Sequence, residues 1–450
     1  VHMRQFPQEA LLLHVCEEGR LQPHHIDRLA EELADFHLSI PPAPTGSPLG
    51  IPASVLAATR GNFEHLRPVL QSLAQYLGSQ PEGSAHGILS GQLEQMERTV
   101  AHLNHLTEAG FRQLEPLFRR RYEQGWIREC HGDLHLQNML LEEDRVVIFD
   151  CVEFNEEFRW IDIFSDVCFA VMDLIARGYA ALGWRLLDRW VERTDSYSAL
   201  PAVWFQLLYR AMVRAKVAGI RLQNALDQLQ AGEEADPAAD WQELQQYVNL
   251  GQSFTSSYLP ALILTCGVSG SGKTTLTTPL VDQLPAVRIR SDVERKRMYG
   301  LRPAERPQPE QVAEMYSAET SLRVREQLEQ RATAVVQSGI PAIVDATFLD
   351  RDWRDAFRQL AKQLNVPCLI IRFLAEDDVL RQRVAARTAN GSDASDADLA
   401  VLEQQLMNRE PLDDDELPLV IDCDTTTPDA ATRLVNDVRR QLEFRIAAAK

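Results

Sequence analysis

The run Gly267-Val268-Ser269-Gly270-Ser271-Gly272-Lys273-Thr274 follows directly on an apolar, strand-like segment, Ala261-Leu262-Ile263-Leu264-Thr265-Cys266. A strand, a glycine-rich turn and a helix in that order leave few folds open. The glycines let the backbone curl so that successive N–H groups converge, and a helix opening near Lys273 adds the positive end of its dipole. Such a cradle suits the β- and γ-phosphates of a nucleoside triphosphate. Gly267, Ser269, Gly270, Ser271, Gly272, Lys273, Thr274 and Thr275 therefore form the candidate ATP-binding set, with Lys273 on the β/γ-phosphates and Thr274 on Mg2+.

A chain of 450 residues exceeds what one hydrophobic core normally serves, so two or three domains are expected, and 45% hydrophobic residues supply ample core material. The net charge of −19 opposes extended nonspecific contact with nucleic-acid backbones or anionic lipid and favours small polar or cationic partners. Cys16, Cys130, Cys151, Cys168, Cys266, Cys368 and Cys423 show no CxxC pairing and read as reduced core thiols, pointing to the cytoplasm. No apolar stretch approaches the roughly 20 residues of a membrane span. Val1-His2-Met3-Arg4-Gln5-Phe6 reads as an interior strand, the continuation of a sequence that starts earlier.

Helical periodicity runs through Leu11-Leu12-Leu13, from His25 to His37, and over about residues 61 to 78 and 91 to 124, with a proline-rich loop at Pro41–Pro48. Short strands are expected at Trp126–Cys130 and Val146–Phe149, then a helical, apolar lobe from Asp162 to about Gln228. A breaker-rich stretch at Ala231–Pro237 and a helix to Tyr258 lead into the phosphate-loop strand, so the boundary is set between domains 1–257 and 258–450. Beyond it, strands at 261–266, 286–290, 341–345 and 368–373 alternate with helices, which implies a parallel sheet.

In the first half, His131-Gly132-Asp133-Leu134-His135-Leu136-Gln137-Asn138 is followed on the next strand by Ile148-Phe149-Asp150. The pair resembles the catalytic loop of aminoglycoside phosphotransferases and their protein-kinase-like relatives. The resemblance implies that Asp133 accepts or orients the acceptor hydroxyl proton while Asn138 and Asp150 hold Mg2+. A hairpin has reason to do this, because it returns a second carboxylate to the rim that already carries the loop's carboxylate and amide. Asp162 and Asp166 resemble the aspartates behind that loop and read as structural caps. His131 reads as a brace of the loop, and Glu153 as either an accessory group or a solvated carboxylate. His2 falls about where these kinases carry a phosphate-binding lysine, and the glycine-rich loop of their N-terminal lobe is absent from the chain.

In the second half, Val287-Arg288-Ile289-Arg290 ends in Ser291-Asp292-Val293-Glu294-Arg295. This D-x-x-R pattern resembles 5′-hydroxyl polynucleotide kinases, related small-molecule kinases and zeta-toxin-like proteins. It implies that Asp292 activates an acceptor hydroxyl and that Arg295 assists substrate or phosphate binding. Asp292 or Ser291 also stands where a helix N-cap would. Ala342-Ile343-Val344-Asp345 ends in an acidic residue as a Walker B strand does, so Asp345 is a candidate to bind Mg2+ through water or to orient the acceptor. Arg383 and Arg387 lie four apart on one helical face and resemble lid arginines that close over the γ-phosphate; a solvated basic face is the other reading.

Together the halves resemble a bacterial fusion of an aminoglycoside phosphotransferase-like domain with a P-loop ATPase or kinase domain. The implied fold is α/β and α+β: a mainly helical, protein-kinase-like C-lobe, then a P-loop domain with a parallel sheet flanked by helices. The implied activity is ATP- and Mg2+-dependent phosphoryl transfer at two modules to a small-molecule hydroxyl, on a sugar, amino alcohol or aminoglycoside-like compound. Two alternatives stay open: a first half that only regulates the second, and a nucleic-acid 5′-hydroxyl kinase.

Overall fold

The computed structural model describes residues 6–79, 84–255, 260–303, 305–390 and 397–449. Residues 1–5 of the expected N-terminal strand, His2 among them, lie outside the described residues, as does the expected boundary at 257/258. The chain divides into two compact units, Val1–Thr194 with Ala202–Ser256, and Asp195–Pro201 with Ser257–Lys450. Nothing in the sequence marks Asp195–Pro201 as grouping with the second unit.

The first unit contains α1 (Leu12–Glu17), α2 (Pro23–Ser39), α3 (Pro52–Gly78) and α4 (Ser84–Glu123), then strands β1 (Ile127–Glu129), β2 (Met139–Glu142), β3 (Arg145–Ile148) and β4 (Trp160–Asp162). Helices α5 (Ile163–Ala176), α6 (Ala180–Thr194), α7 (Val203–Gln230) and α8 (Ala238–Ser253) complete it. Helix α5 is buried from Ile163 through Leu174, as an apolar-all-round helix must be, and α6 and α7 pack against it. Asp162 starts α5 by accepting the Phe164 N–H and is itself gripped by Arg121, so its structural role is that of a cap. Strand β4, which the sequence reading did not anticipate, pairs antiparallel with β1 and ends at Asp162, where α5 opens. Strand β2 was not anticipated either; it pairs with β3 as a hairpin, Met139 opposite Ile148.

The second unit is built on β5 (Leu262–Cys266), β6 (Val287–Arg290), β7 (Ala342–Asp345), β8 (Cys368–Leu374) and β9 (Val420–Asp424). They form one parallel sheet in the order β6-β7-β5-β8-β9. Its helices are α9 (Lys273–Gln283), α10 (Ser291–Met298), α11 (Pro309–Met315), α12 (Ala318–Gln337), α13 (Arg351–Gln363), α14 (Asp377–Asn390), α15 (Leu399–Asn408) and α16 (Ala430–Ala449). Central strand β5 is buried along its whole length, which explains its unbroken apolar run. Ile263, Ile343, Leu369 and Ile371 share a core with Leu280 of α9 and Leu434 and Val438 of α16, while α12 and α13 pack on β7 and β5. Strand β9 escaped the sequence reading because it is an edge strand whose Asp422 and Asp424 are exposed, Asp422 being paired with Arg372 of β8.

Candidate active site

The register of the sheet sets the site. Leu264 of β5 lies opposite Val344 of β7, and Arg290 of β6 lies opposite Asp345. The phosphate loop, Asp345 and the start of α10 therefore emerge side by side at the C-terminal edge, where parallel α/β sheets present ligands. Thr265 fastens the two central strand ends, its Oγ1 donating to Ala346 O at 2.6 Å and accepting the Ala346 N–H at 3.1 Å.

Gly272 (φ +87°) turns the loop into α9, which starts at Lys273. Gly270 (φ +80°) lies so close to α14 that a Cβ there would stand 2.9 Å from Val384 Cγ2. The Lys273 ammonium folds over the loop, donating to Gly267 O and Val268 O at 2.9 Å each. Its burial pulls its pKa down, and the carboxylates of Asp345 and Asp292 oppose that. Ser271 Oγ is buried without a hydrogen-bond partner. Thr274 Oγ1 donates to Asp345 Oδ2 at 2.8 Å. A hydroxyl and a carboxylate so placed are the hard oxygen donors that Mg2+ prefers, so this pair fits the ion.

These groups open onto a cavity of about 1100 Å3, which Asp292, Arg295, Arg383 and Arg387 also line, as does Thr275. Asp292 belongs to the first turn of α10, but Arg290 holds the N-cap position and Ser291 is already helical, so neither Asp292 nor Ser291 is that cap. Arg383 donates to Thr425 Oγ1 at 2.8 Å and to Thr425 O at 3.0 Å, and Arg387 to Ala397 O at 2.8 Å. The two arginines face the cavity from α14 rather than forming a solvated basic face.

Sequence reading missed the part of the cavity lining that follows β7. Phe348 (φ +47°), Asp350 and Trp353 belong to it. The buried Arg354 holds this loop by donating to Phe348 O (3.1 Å) and Leu349 O (3.0 Å) while pairing at 2.7 and 3.0 Å with the equally buried Glu416. A pair 62 positions apart carries no local sequence signal. Arg306 and Tyr316, which also line the cavity, and Gln405, whose Oε1 accepts the Ser269 N–H at 2.7 Å, were missed as well.

In the first unit, the hairpin continues past its strands: Phe149 N–H donates to Asn138 O at 3.0 Å, so Asp150 emerges beside Asn138. Asp150 is exposed with φ +60°, and Glu153 and Cys151 are exposed as well, so Cys151 is not a core thiol. The Asn138 amide nitrogen donates to Asp133 O (2.9 Å) and Asp133 Oδ2 (3.2 Å). His135, to which the sequence assigned no task, places Nε2 3.2 Å from Asp133 Oδ2. Burial pushes the Asp133 carboxyl up, yet the His135 hydrogen bond and the charges of His135, Arg214 and Arg210 hold it below the usual range.

Asp166 braces this loop from behind, accepting the His131 and Gly132 N–H groups at 3.2 and 2.9 Å and pairing with His37 Nε2 at 3.1 Å. Trp190 Nε1 donates to His37 Nδ1 at 3.0 Å, which leaves the Nε2 proton for Asp166. His131 Nε2 reaches Phe149 O at 2.7 Å and ties the loop to the hairpin. No helix of the described residues is long and apolar enough to cross a membrane.

An uncharacterized protein of Mycobacterium tuberculosis is similar to this chain, 25% identical over 395 residues that cover 88% of this chain and 73% of the relative. Among solved structures, a putative kinase from Chloroflexus aurantiacus is 27% identical and is covered to 98% by 42% of this chain, with a TM-score of 0.32. A gluconokinase from Sinorhizobium meliloti is 20% identical and is covered to 98% by 41% of this chain, with a TM-score of 0.28. Residues 262–412, which contain the phosphate loop, Asp292, Asp345 and the α14 arginines, match the family model described as an AAA domain.

Proposed function

We propose that the protein is an ATP-dependent phosphotransferase whose second unit moves the γ-phosphoryl group of ATP to the hydroxyl of a small molecule. The observation that carries this is the convergence of Lys273, Thr274, Asp345, Asp292 and Arg383 on one cavity of about 1100 Å3, large enough for a nucleotide and an acceptor together. Asp292, at the start of the helix that follows the strand beside Asp345, supplies a carboxylate able to take an acceptor's hydroxyl proton.

The loop amides and Lys273 hold the β/γ-phosphates. Asp292 takes the proton from the acceptor hydroxyl as its oxygen bonds to the γ-phosphorus, the bond to the β,γ-bridging oxygen breaks, and ADP leaves. Arg383 and Arg387, at the loop's rim, neutralise charge on the equatorial oxygens as it is redistributed. Thr274 and Asp345 would hold Mg2+, which supplies further charge neutralisation when bound.

The first unit is proposed as a second phosphotransfer module, with Asp133 orienting its acceptor and the Asn138 side-chain amide oxygen and Asp150 as the groups that would hold Mg2+. The spacing enforced by the hairpin and the brace by Asp166 support this reading. ATP turnover by Lys273→Ala and Asp133→Ala variants, assayed with a panel of sugars, amino alcohols, aminoglycosides and nucleosides, tests both halves. Loss on Lys273→Ala alone, with Asp133→Ala unchanged for every acceptor, would reduce the first unit to a regulatory module.

A further inference from the structure

We propose that Gln405 is a further catalytic residue of the second unit: its side-chain amide N–H donates to an oxygen of the phosphoryl group during transfer. The inference rests on the phosphotransfer reading of this cavity and adds to it the group on α15 that touches the moving phosphoryl.

Gln405 Oε1 accepts the Ser269 N–H at 2.7 Å. The carbonyl of the same peptide unit, Val268 O, accepts from Lys273 Nζ at 2.9 Å, as does Gly267 O. The lysine and the glutamine thus hold opposite edges of one planar peptide. The lysine of a phosphate loop reaches the β- and γ-phosphates, so the loop residues on which its ammonium rests flank the end of the triphosphate that is transferred. Gln405 stands at that end, although it lies 136 positions from Ser269 in sequence.

Chemistry fixes which way the amide points. A backbone N–H can be accepted only by the amide oxygen, so Nε2 with its hydrogens is turned away from Ser269. Nε2 makes no hydrogen bond among the described residues, and the half-buried side chain lines the cavity of about 1100 Å3. Asp398, the N-cap of α15, and Val401 line it too, so a stripe at spacings of three and four along this helix borders the cavity.

Packing holds the stripe in place. Leu402 is fully buried in one apolar cluster with Val268 of the loop and Leu380 and Val384 of α14, and Leu406 packs against that cluster. Glu403 pairs with Arg381 of α14 at 2.7 Å. Gln405 is therefore carried by a helix anchored both on the loop and on the helix of Arg383 and Arg387. A donor fixed in advance in this way needs little reorganisation, the condition under which one hydrogen bond counts most in a transition state. No proton leaves Gln405: the acceptor oxygen bonds to phosphorus, the bond to the β,γ-bridging oxygen breaks, and the amide shares a hydrogen with an equatorial oxygen.

The test uses the full chain with ATP and Mg2+ on the panel of sugars, amino alcohols, aminoglycosides and nucleosides. Gln405→Glu keeps an oxygen for the Ser269 N–H but loses the donor, and Gln405→Met loses both without adding charge. Both should lower kcat about 10²–10³-fold with the affinity for ADP unchanged. Retained kcat in Gln405→Glu would reduce the residue to a brace of the loop, and retained kcat in Gln405→Met would leave only an effect of charge. Either result, or an equal loss of ADP affinity, overturns the proposal.

Binding of ADP with Mg2+ and aluminium fluoride, which imitates the planar phosphoryl group, needs no acceptor and so separates this inference from the reading beneath it. The wild type should hold that complex at least about 10-fold more tightly than either variant, as a hydrogen bond to a charged group implies, with ADP alone bound equally. That difference without transfer to any acceptor upholds the contact and refutes the kinase reading. Equal affinities of wild type and variants overturn the contact, whether or not an acceptor is phosphorylated.

Discussion

Thr274 Oγ1 lies 2.8 Å from Asp345 Oδ2, so the first helical turn after the phosphate loop and the last residue of β7 meet across the floor of the cavity. Each is placed by a different strand of the same sheet, which is why the two stand together although they are 71 positions apart. Asp345→Asn keeps the size and a hydrogen bond to Thr274 but removes the charge that suits a divalent cation. Turnover titrated with Mg2+ should show a fall in kcat of about 10²–10³ and a higher Mg2+ requirement. Unchanged Mg2+ dependence would place the ion elsewhere.

Asp292→Asn should lower acceptor-dependent transfer by about 10²–10⁴, the usual contribution of a general base, with the affinity for ATP retained. Rapid-quench transfer and nucleotide binding measured on the same sample separate these effects. Weakened ATP binding with transfer preserved would assign Asp292 to the nucleotide instead.

Arg354 and Glu416 brace the loop that carries Phe348, Asp350 and Trp353. Arg354→Met strands a buried carboxylate and should cost about 3–5 kcal/mol in the urea unfolding of the second unit. The double variant Arg354→Met/Glu416→Leu should recover part of that loss. Additive losses would show that the ion pair is not what the site senses.

Asp166 predicts an acid limit for the first unit. Burial pushes its carboxyl up, but the His37 hydrogen bond with the charges of His37, His131 and Arg210 prevails and holds it below the usual range. A depressed folded pKa contributes stability that is present above the unfolded value, about 3.9, and is lost as pH falls through the lower folded value. Acid unfolding followed by far-ultraviolet dichroism should therefore steepen below about pH 4 in the wild type, and Asp166→Asn should be less stable at pH 7 with a weaker slope there. An identical slope in both would remove Asp166 from the brace.

The phosphate loop was legible because its backbone geometry demands glycines in sequence, and the first half's catalytic-loop pattern because a hairpin needs nearby residues. Asp292, Asp345 and Arg383 could be chosen as candidates but not brought together, since that depends on the order β6-β7-β5-β8-β9. Strand β9 was hidden by its exposed aspartates. Arg354, Glu416 and Trp353 were invisible because long-range ion pairs and cavity walls leave no spacing rule.

The most direct test follows phosphate from γ-labelled ATP into the acceptor panel with wild type, Lys273→Ala and Asp133→Ala. The account predicts that Lys273→Ala abolishes transfer to the second unit's acceptors while Asp133→Ala abolishes transfer to a different set. Full transfer to every acceptor by Lys273→Ala would contradict it.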